Sequence, residues 1–282
     1  MPELAEVETA RLRMEKALKG KKLDVAFIDT KDRIVFDKAS PASVKRALQG
    51  AKVIGSGRKG KYFWLELDRK PWPVFHLGMS GHVEILGAKG FERIWGRSET
   101  KPDGSATERP RFCKMLLTSA DVQAAITDPR RFGRIRLAKN PLKEAPISKL
   151  GPDPLIDPPT AKELQILLTK RALPIKALLL DQKLFAGVGN WLADEILFQA
   201  GIAPQRPGKD LGAAEIKKLR SALLGVIRKA VAVDADYERF PKTWLFHDRW
   251  GKGKESYTSR GYQIRHDTIG GRTTAWVPEL QR

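Results

Sequence analysis

The chain has 282 residues, 41% of them hydrophobic, and carries 52 Lys and Arg against 33 Asp and Glu, a formal net charge of +19 at pH 7. That is enough apolar material for one large domain or two ordinary ones, and no apolar run approaches the ~20 residues that a membrane-spanning helix needs. A single cysteine, Cys113, excludes an intrachain disulfide and any multi-cysteine metal centre, and none of the four histidines (His76, His82, His247, His266) has a zinc-type spacing to another ligand.

The opening segment MPELAEVETARLR is acidic and then amphipathic, unlike a secretory signal. A soluble, intracellular chain is expected, in a cytosol, nucleus or nucleoid. Leu4, Val7, Met14 and Leu18 share one face at helical spacing, with Gly20 as a stop. Short apolar or alternating runs follow at 23–28, 61–67, 73–79, 114–118, 122–127 and 133–138, separated by turn-rich stretches, and read as strands. Residues 1–138 therefore read as one helix plus a β-sandwich or barrel. The polar, Gly-rich stretch 87–110 reads as a long mobile loop.

The stretch 139–159 holds six prolines and no periodicity, and reads as a linker. A helical half follows. Thr160 and Glu163 fit a capping box that opens a helix over 161–171. A second helix is expected over 174–184. Gly187-Val188-Gly189 breaks it, and Asn190 is placed to cap a third helix through about Ala200. Ile216, Leu219, Leu223, Val226 and Ala230 define a fourth. Gly270-Gly271 in the tail suggests a β-hairpin.

Four features bear on chemistry. Pro2 follows a methionine that is normally removed before a small residue, which would expose a secondary amine. A terminal amine titrates near 8 and a lysine near 10.4, so far more of the former is neutral and nucleophilic at neutral pH. Such an amine can attack C1′ of a deoxyribose, displace the base and leave an iminium that acidifies the 2′ proton. Proline at position 2 is also common and inert. Glu3 and Glu6, spaced i, i+3, can serve acid–base work beside it, or simply favour the helix dipole. The Gly-x-Gly break before Asn190 points backbone N–H groups outward as a phosphate-binding turn does, although helix–turn–helix pairs occur without that role. Basic residues adjoin aromatics in GKYF (Lys61) and DPRRFG (Arg130, Phe132), which suits wedging into a DNA stack, and Arg272 lies in GGRTT. Charged runs are also ordinary solvated faces.

Taken together these residues resemble the formamidopyrimidine-DNA glycosylase (Fpg/Nei) family. MPELAEVET is similar to its opening signature, with Ala5 in place of a proline. LGMSG (77–81), TDPRRFG (127–133), LGPDPL (150–155) and LFAGVGNWLADEILF (184–198) follow in the family order. The resemblance implies an α+β fold: an N-terminal helix plus two-layer β-sandwich (1–140), a linker (141–159), a helix–two-turn–helix domain (160–242) and a β-hairpin finger (243–282). It implies Pro2 as nucleophile, Glu3 as general acid/base, Glu6 as a second carboxylate, and Lys61, Asn190, Arg272 and His76 as phosphate contacts, Lys61 also within the catalytic group. Met79, Arg130 and Phe132 would fill the hole left by a flipped nucleotide. The implied activity is excision of oxidised purines through a proline iminium, then strand cleavage by β,δ-elimination. The implied partner is double-stranded DNA carrying oxidised bases or abasic sites, met by a monomer with no cofactor and no membrane.

Two regions depart from the family pattern. The four cysteines of the zinc-bearing members are absent, with Val277 and Leu280 where the last pair would lie, while the Arg-Thr-Thr-Ala-aromatic run from Arg272 is intact. The tail is thus similar to the zincless-finger branch, with Trp276, Val277 and Leu280 packing in place of metal. The aromatic-rich stretch 233–250 aligns with no long capping loop, which favours ring-opened purines, further-oxidised guanines or abasic sites over a strong 8-oxoguanine preference. The alternatives are a Nei-like enzyme for oxidised pyrimidines and a non-catalytic damaged-DNA-binding protein; RNA binding lacks an RNP aromatic motif or a helical GxxG loop. One expectation is immediate: dialysis against a strong chelator leaves DNA cleavage unchanged, and loss of activity in step with zinc removal would refute the metal-free finger.

Overall fold

In the computed structural model the first helix, α1 (Leu4–Leu18), begins at an extended N-cap, Glu3, and the apolar face read from the sequence (Leu4, Val7, Met14, Leu18) is fully buried. The structure describes residues 1–87, 90–93, 109–119, 122–251 and 255–282. They form two units, one of Met1–Lys149 with Asp234–Tyr237, the other of Leu150–Val233 with Glu238–Arg282.

In the first unit α1 is followed by β1 (Asp24–Ile28), α2 (Pro41–Leu48), β2 (Val53–Lys59), β3 (Tyr62–Leu67), β4 (Trp72–His76), β5 (His82–Gly87), β6 (Gly90–Arg93), β7 (Cys113–Ser119), β8 (Val122–Thr127) and β9 (Arg134–Ala138). The strands form two antiparallel sheets, ordered β1-β7-β8-β5-β6 and β2-β3-β4-β9. Helix α1 touches β2 and β3 of one sheet and β5 and β8 of the other, which explains why every residue from Leu4 to Ala10 is buried, glutamates included. Phe63 and Phe75, cross-strand partners on β3 and β4, stack at 4.9 Å in the core. Four elements of this unit are absent from the sequence reading: α2, β2, β5 and β6. Helix α2 buries only Val44 and Leu48, but Ser40 caps it through the Ser43 N–H and Pro41 starts it. Strand β2 (VIGSGRK) is too rich in Gly and Ser for a strand pattern. Strand β6 pairs with β5 inside the stretch expected to be a loop; the remainder of that loop, 88–89 and 94–108, lies outside the described residues.

The second unit holds α3 (Ala161–Thr169), α4 (Ile175–Leu180), α5 (Asn190–Ala200), α6 (Ala213–Ala232) and a small sheet β10 (Ser256–Tyr257), β11 (Gln263–Ile269), β12 (Arg272–Trp276). The Thr160/Glu163 capping box is present, and α5 ends at Gly201, whose φ of +68° only glycine adopts freely. Helix α4 is shorter than the expected 174–184, because Asp181 caps a tight turn through the Leu184 and Phe185 N–H groups. The N-cap of α5 is Gly189, not Asn190, which is the first helical residue and uses its amide elsewhere. Within 139–159 two single 3-10 turns form, and Gly151 and Pro152 bond to the backbone of Gln182 and Ala186.

At the heart of this unit Lys176 and Asp194 form an ion pair with both side chains fully buried, and Arg249 bonds the other Asp194 oxygen. Deleting one partner of such a pair strands the other charge in the interior. Asp194→Ala is expected to lower the free energy of urea-induced unfolding by about 3–5 kcal/mol; a loss well under ~1 kcal/mol, the range of an exposed pair, would show that water reaches the site.

Candidate active site

Pro2, Glu3 and Glu6 are gathered at the start of α1. Pro2 is buried, Glu3 is 1% exposed and Glu6 is fully buried. The Glu3 backbone N–H donates to Glu6 Oε2 at 3.0 Å, so the i+3 carboxyl reaches back over the helix end. The other Glu6 oxygen accepts the Tyr237 hydroxyl at 2.9 Å. Burial, then the neighbouring Glu3 carboxylate, pushes the Glu6 carboxyl up from 4.5 to about 7, against the bonds it accepts. Burial and Glu6 likewise raise the Tyr237 phenol. Tyr237 was not legible as a site residue; its only sequence signal is its place in the aromatic-rich stretch. Ala5 is fully buried, in a setting that a small side chain suits.

Lys61 follows Gly60 in the tight turn between β2 and β3. That turn is held by Arg58, which donates to the Gly60 carbonyl at 3.0 Å and to Glu8 of α1 at 2.8 Å. His76 ends β4, opposite Tyr62 and Arg134, with the Tyr62 ring 4.6 Å away. Burial, then Lys61 and two arginines, depresses the His76 imidazole to about 4, so it is neutral at pH 7. Its Nδ1 faces the Gly78 N–H at 3.2 Å as an acceptor, which leaves the proton on Nε2. His76 can therefore donate a hydrogen bond to an anion without carrying charge.

Met79, Arg130 and Phe132 all lie exposed, Met79 at 39% and Phe132 at 49%, on two loops that pack backbone to backbone. Gly78, at φ +61°, approaches the Phe132 carbonyl so closely that an added Cβ would sit 2.3 Å from it. Asp128 ties the loops together. It accepts Ser80 Oγ at 2.7 Å from one loop and the N–H groups of Arg130 and Gly133 from the other. The Arg130 guanidinium lies 5.4 Å over the Phe132 ring. Arg131 turns away to pair with Asp32, at φ +59°. Burial would raise Asp32, but the bonds from Lys114 and Arg131 outweigh it and hold the carboxyl down at about 2. Asp128 and Asp32 are supports that the sequence reading did not single out.

In the second unit Asn190 Nδ2 donates to the Thr273 carbonyl at 2.9 Å, which joins α5 to the hairpin, while Lys176 donates to the Asn190 carbonyl at 3.0 Å. Gln182 laces the preceding turn, bonding the Val188 carbonyl and the Gly187 N–H. Arg272 is exposed directly after the β11–β12 turn, where Gly270 and Gly271 adopt φ of +60° and +72°. Under it Val277 and Ala275 pack with Leu245 and Ile264, and Trp276 Nε1 donates to Asp267 at 2.7 Å. Leu280 does not join this packing: it is 36% exposed, and the buried neighbour Gln281 instead bonds the Val277 N–H and the Ile202 carbonyl. The lone cysteine is on β7, and among the described residues no group of His, Cys, Asp or Glu is arranged to hold a metal.

An N-terminal helix set against two antiparallel sheets is followed in the chain by a helical unit with a short hairpin, a two-unit α+β architecture. The N-terminal domain model of formamidopyrimidine-DNA glycosylase matches residues 1–135, and the H2TH domain model of that enzyme matches 150–241. The chain belongs to the formamidopyrimidine-DNA glycosylase family. It is 40% identical to the formamidopyrimidine-DNA glycosylase of Arabidopsis thaliana over its whole length and 71% of that protein. It is 34% identical to the enzyme of that name from Zymomonas mobilis, with both chains fully covered. Among solved structures it is similar to Lactococcus lactis Fpg in complex with DNA containing N7-benzyl-Fapy-dG, at a TM-score of 0.80, 26% identity and full coverage of both chains. A second crystal structure of that protein, bound to DNA containing an abasic site, gives a TM-score of 0.78 over 99% of each chain.

The Glu6 carboxyl yields a test. Folded, it ionises near 7; unfolded, near 4.5. The folded state therefore holds an extra proton between those values, and the resulting stability, complete below 4.5, is lost as pH rises through 7. Glu6→Gln keeps the neutral form at every pH. Its stability relative to the parent is expected to grow by on the order of 3 kcal/mol from pH 4 to pH 8 in urea titrations. A pH-independent difference would mean that Glu6 titrates as an ordinary carboxyl.

Proposed function

We propose that this chain is a bifunctional DNA glycosylase and abasic-site lyase that excises oxidised purines, formamidopyrimidines and oxidised guanines foremost, and then cuts the strand. The observation that carries the reading is the held N-terminal constellation: Pro2 buried at the helix start, Glu3 beside it, and the Glu3 N–H locked onto Glu6. With Met1 removed, Pro2 presents a secondary amine, the nucleophile of this reading. The nitrogen attacks C1′ of the damaged nucleotide and the C1′–base bond breaks, the base leaving with its electron pair and taking a proton from water. Glu3 takes the proton that the Pro2 nitrogen sheds and delivers it to the ring oxygen, the sugar opens, and Pro2 nitrogen and C1′ share an iminium. The iminium acidifies C2′–H; loss of that proton expels the 3′ phosphate, and a second elimination expels the 5′ phosphate. Water then releases Pro2. Glu6 acts by fixing the Glu3 backbone.

Binding would rest on charge and on the wedge. Lys61, the neutral His76, Asn190 and Arg272 are the proposed phosphate contacts, and each is a donor. Met79, Arg130 and Phe132 offset the few kcal/mol that nucleotide flipping costs by refilling the stack. In this reading residues 1–140 are the catalytic body, 141–159 the linker, 160–242 the helix–two-turn–helix element and 243–282 a metal-free finger, and the protein works as a monomer on cellular DNA.

Borohydride trapping tests it. Duplexes carrying a formamidopyrimidine, an oxidised guanine, an oxidised pyrimidine or an abasic site are incubated with the mature protein, reduced, and the adduct mapped by mass spectrometry. The expected result is a covalent link at Pro2, lost in Pro2→Gly, and fastest with ring-opened purines. Tight binding without any adduct would leave a damage-binding protein, and a dominant rate on the oxidised pyrimidine would move the substrate class.

A further inference from the structure

Phe112 is unexplained by the core. It stands one residue before β7, with 46% of its surface exposed and its backbone at φ +60°, a conformation strained for a bulky side chain. An exposed aromatic on a strained backbone contributes little to folding that a smaller residue would not. Its surroundings have a pattern. The Phe112 carbonyl accepts the Asp128 N–H at 3.1 Å, so Phe112 is fixed to the same residue that ties down the loops of Met79, Arg130 and Phe132. The Arg111 guanidinium lies 4.6 Å over the Phe112 ring, and Arg109 lies 3.7 Å over Phe27 on the adjoining strand β1. With Arg130 on Phe132, three arginine–phenylalanine stacks thus belong to one group of neighbouring strands and loops.

We propose that Phe112, with Arg111 stacked on it, is a second DNA-stacking element beside the Phe132 loop: its ring packs on a nucleobase flanking the point of insertion, and Arg111 neutralises a nearby phosphate. This rests on the DNA-glycosylase reading above. An aromatic face suits any base and an arginine suits the backbone, and the surplus of 19 positive charges on the chain favours a polyanionic occupant. The strained backbone is what holds the ring out of the core and toward solvent.

The test is binding to a duplex with a tetrahydrofuran abasic analogue, alongside thermal unfolding. Phe112→Gly removes both ring and strain, so affinity and stability are expected to part: Kd rises about fivefold or more, while Tm is unchanged or higher. The slope of log affinity against log salt stays as in the parent for Phe112→Gly and falls by about one unit for Arg111→Ala. Phe112→Tyr retains binding and Phe112→Leu does not. Parent-like affinity in Phe112→Gly overturns the proposal, as does weaker binding that follows a drop in Tm in both Phe112→Gly and Phe112→Leu. Borohydride trapping of the parent keeps the two readings apart. A normal Pro2 adduct with an inert Phe112 sinks only the stacking element; no adduct with a sensitive Phe112 sinks only the lyase; a parent that does not bind the duplex sinks both.

Discussion

The bond from the Glu3 backbone N–H to the buried Glu6 carboxyl is the constraint on which the N-terminal end depends. A helix start leaves N–H groups without intrahelical partners, and here one of them is satisfied by a carboxyl that the two sheets have removed from water. Removing a carboxylate from water is costly, so the group takes the alternative open to it and keeps its proton to about pH 7. A neutral Glu6 beside a Glu3 carboxylate avoids two adjacent negative charges, and it leaves the backbone of Glu3, hence the direction of Pro2, fixed by geometry instead of by a fluctuating salt bridge. Tyr237 closes the arrangement from residues distant in sequence, on the short segment Asp234–Tyr237 that joins the first unit, where Asp234 also pairs with Arg13.

The same device recurs wherever an exposed functional candidate needs a rigid base. Asp128 takes bonds from Ser80 and from the N–H groups of Arg130 and Gly133. Asp32 takes Lys114, Arg131 and the Ile34 and Val35 amides. Asp194 takes Lys176, Arg249 and the Ala275 amide of the hairpin. Asp32 and Asp194 bind backbone N–H groups together with cations, and Asp128 binds backbone N–H groups together with a hydroxyl, so each fixes a chain path. Buried ion pairs contribute little net stability against apolar replacements of equal volume. Their benefit here is positional: Asp194 and Asn190 together attach the hairpin that presents Arg272 to helix α5. The Asp194 carboxylate, the Asn190 amide and the Ala275–Val277 packing together hold the hairpin.

What was legible in the sequence was what depends on local chemistry. The α1 stripe, the Thr160 capping box and the Gly270-Gly271 hairpin follow from residues within a few positions of one another, and each is found where its pattern lies. Elements held by distant partners were not legible. β2 is a strand because β3 pairs with it despite two glycines and a serine, and β6 exists only against β5. Asn190 illustrates the limit: its residue type suits an N-cap, yet its amide is drawn to Thr273, 83 residues on, and Gly189 takes the cap. Tyr237, 231 residues from Glu6, could not be paired with it from one chain's spacing. Leu280 was expected inside the hairpin packing, but Gln281 satisfies more there, since its amide pairs with backbone groups that a leucine would leave unbonded.

Exposure of large apolar side chains does not by itself separate Phe132, Met79 and Phe112 from the rest, because Ile156, Ile166 and Leu173 are more exposed still and scattered exposed leucines and isoleucines are normal. What distinguishes the first three is attachment. Each sits on backbone whose position is set by Asp128 or by the close approach of Gly78 to Phe132. A side chain that must enter a base stack gains most if its backbone is already ordered, because the entropy of fixing the loop is then lost on folding and not again on binding. The Arg111 and Arg130 guanidinium groups lie over the Phe112 and Phe132 rings, cation–π contacts that brace each arginine against its own loop. Carboxylates below and stacked arginines above are thus two parts of one solution to a single problem, that of keeping a strongly cationic, partly apolar surface in one conformation before its polyanion is bound.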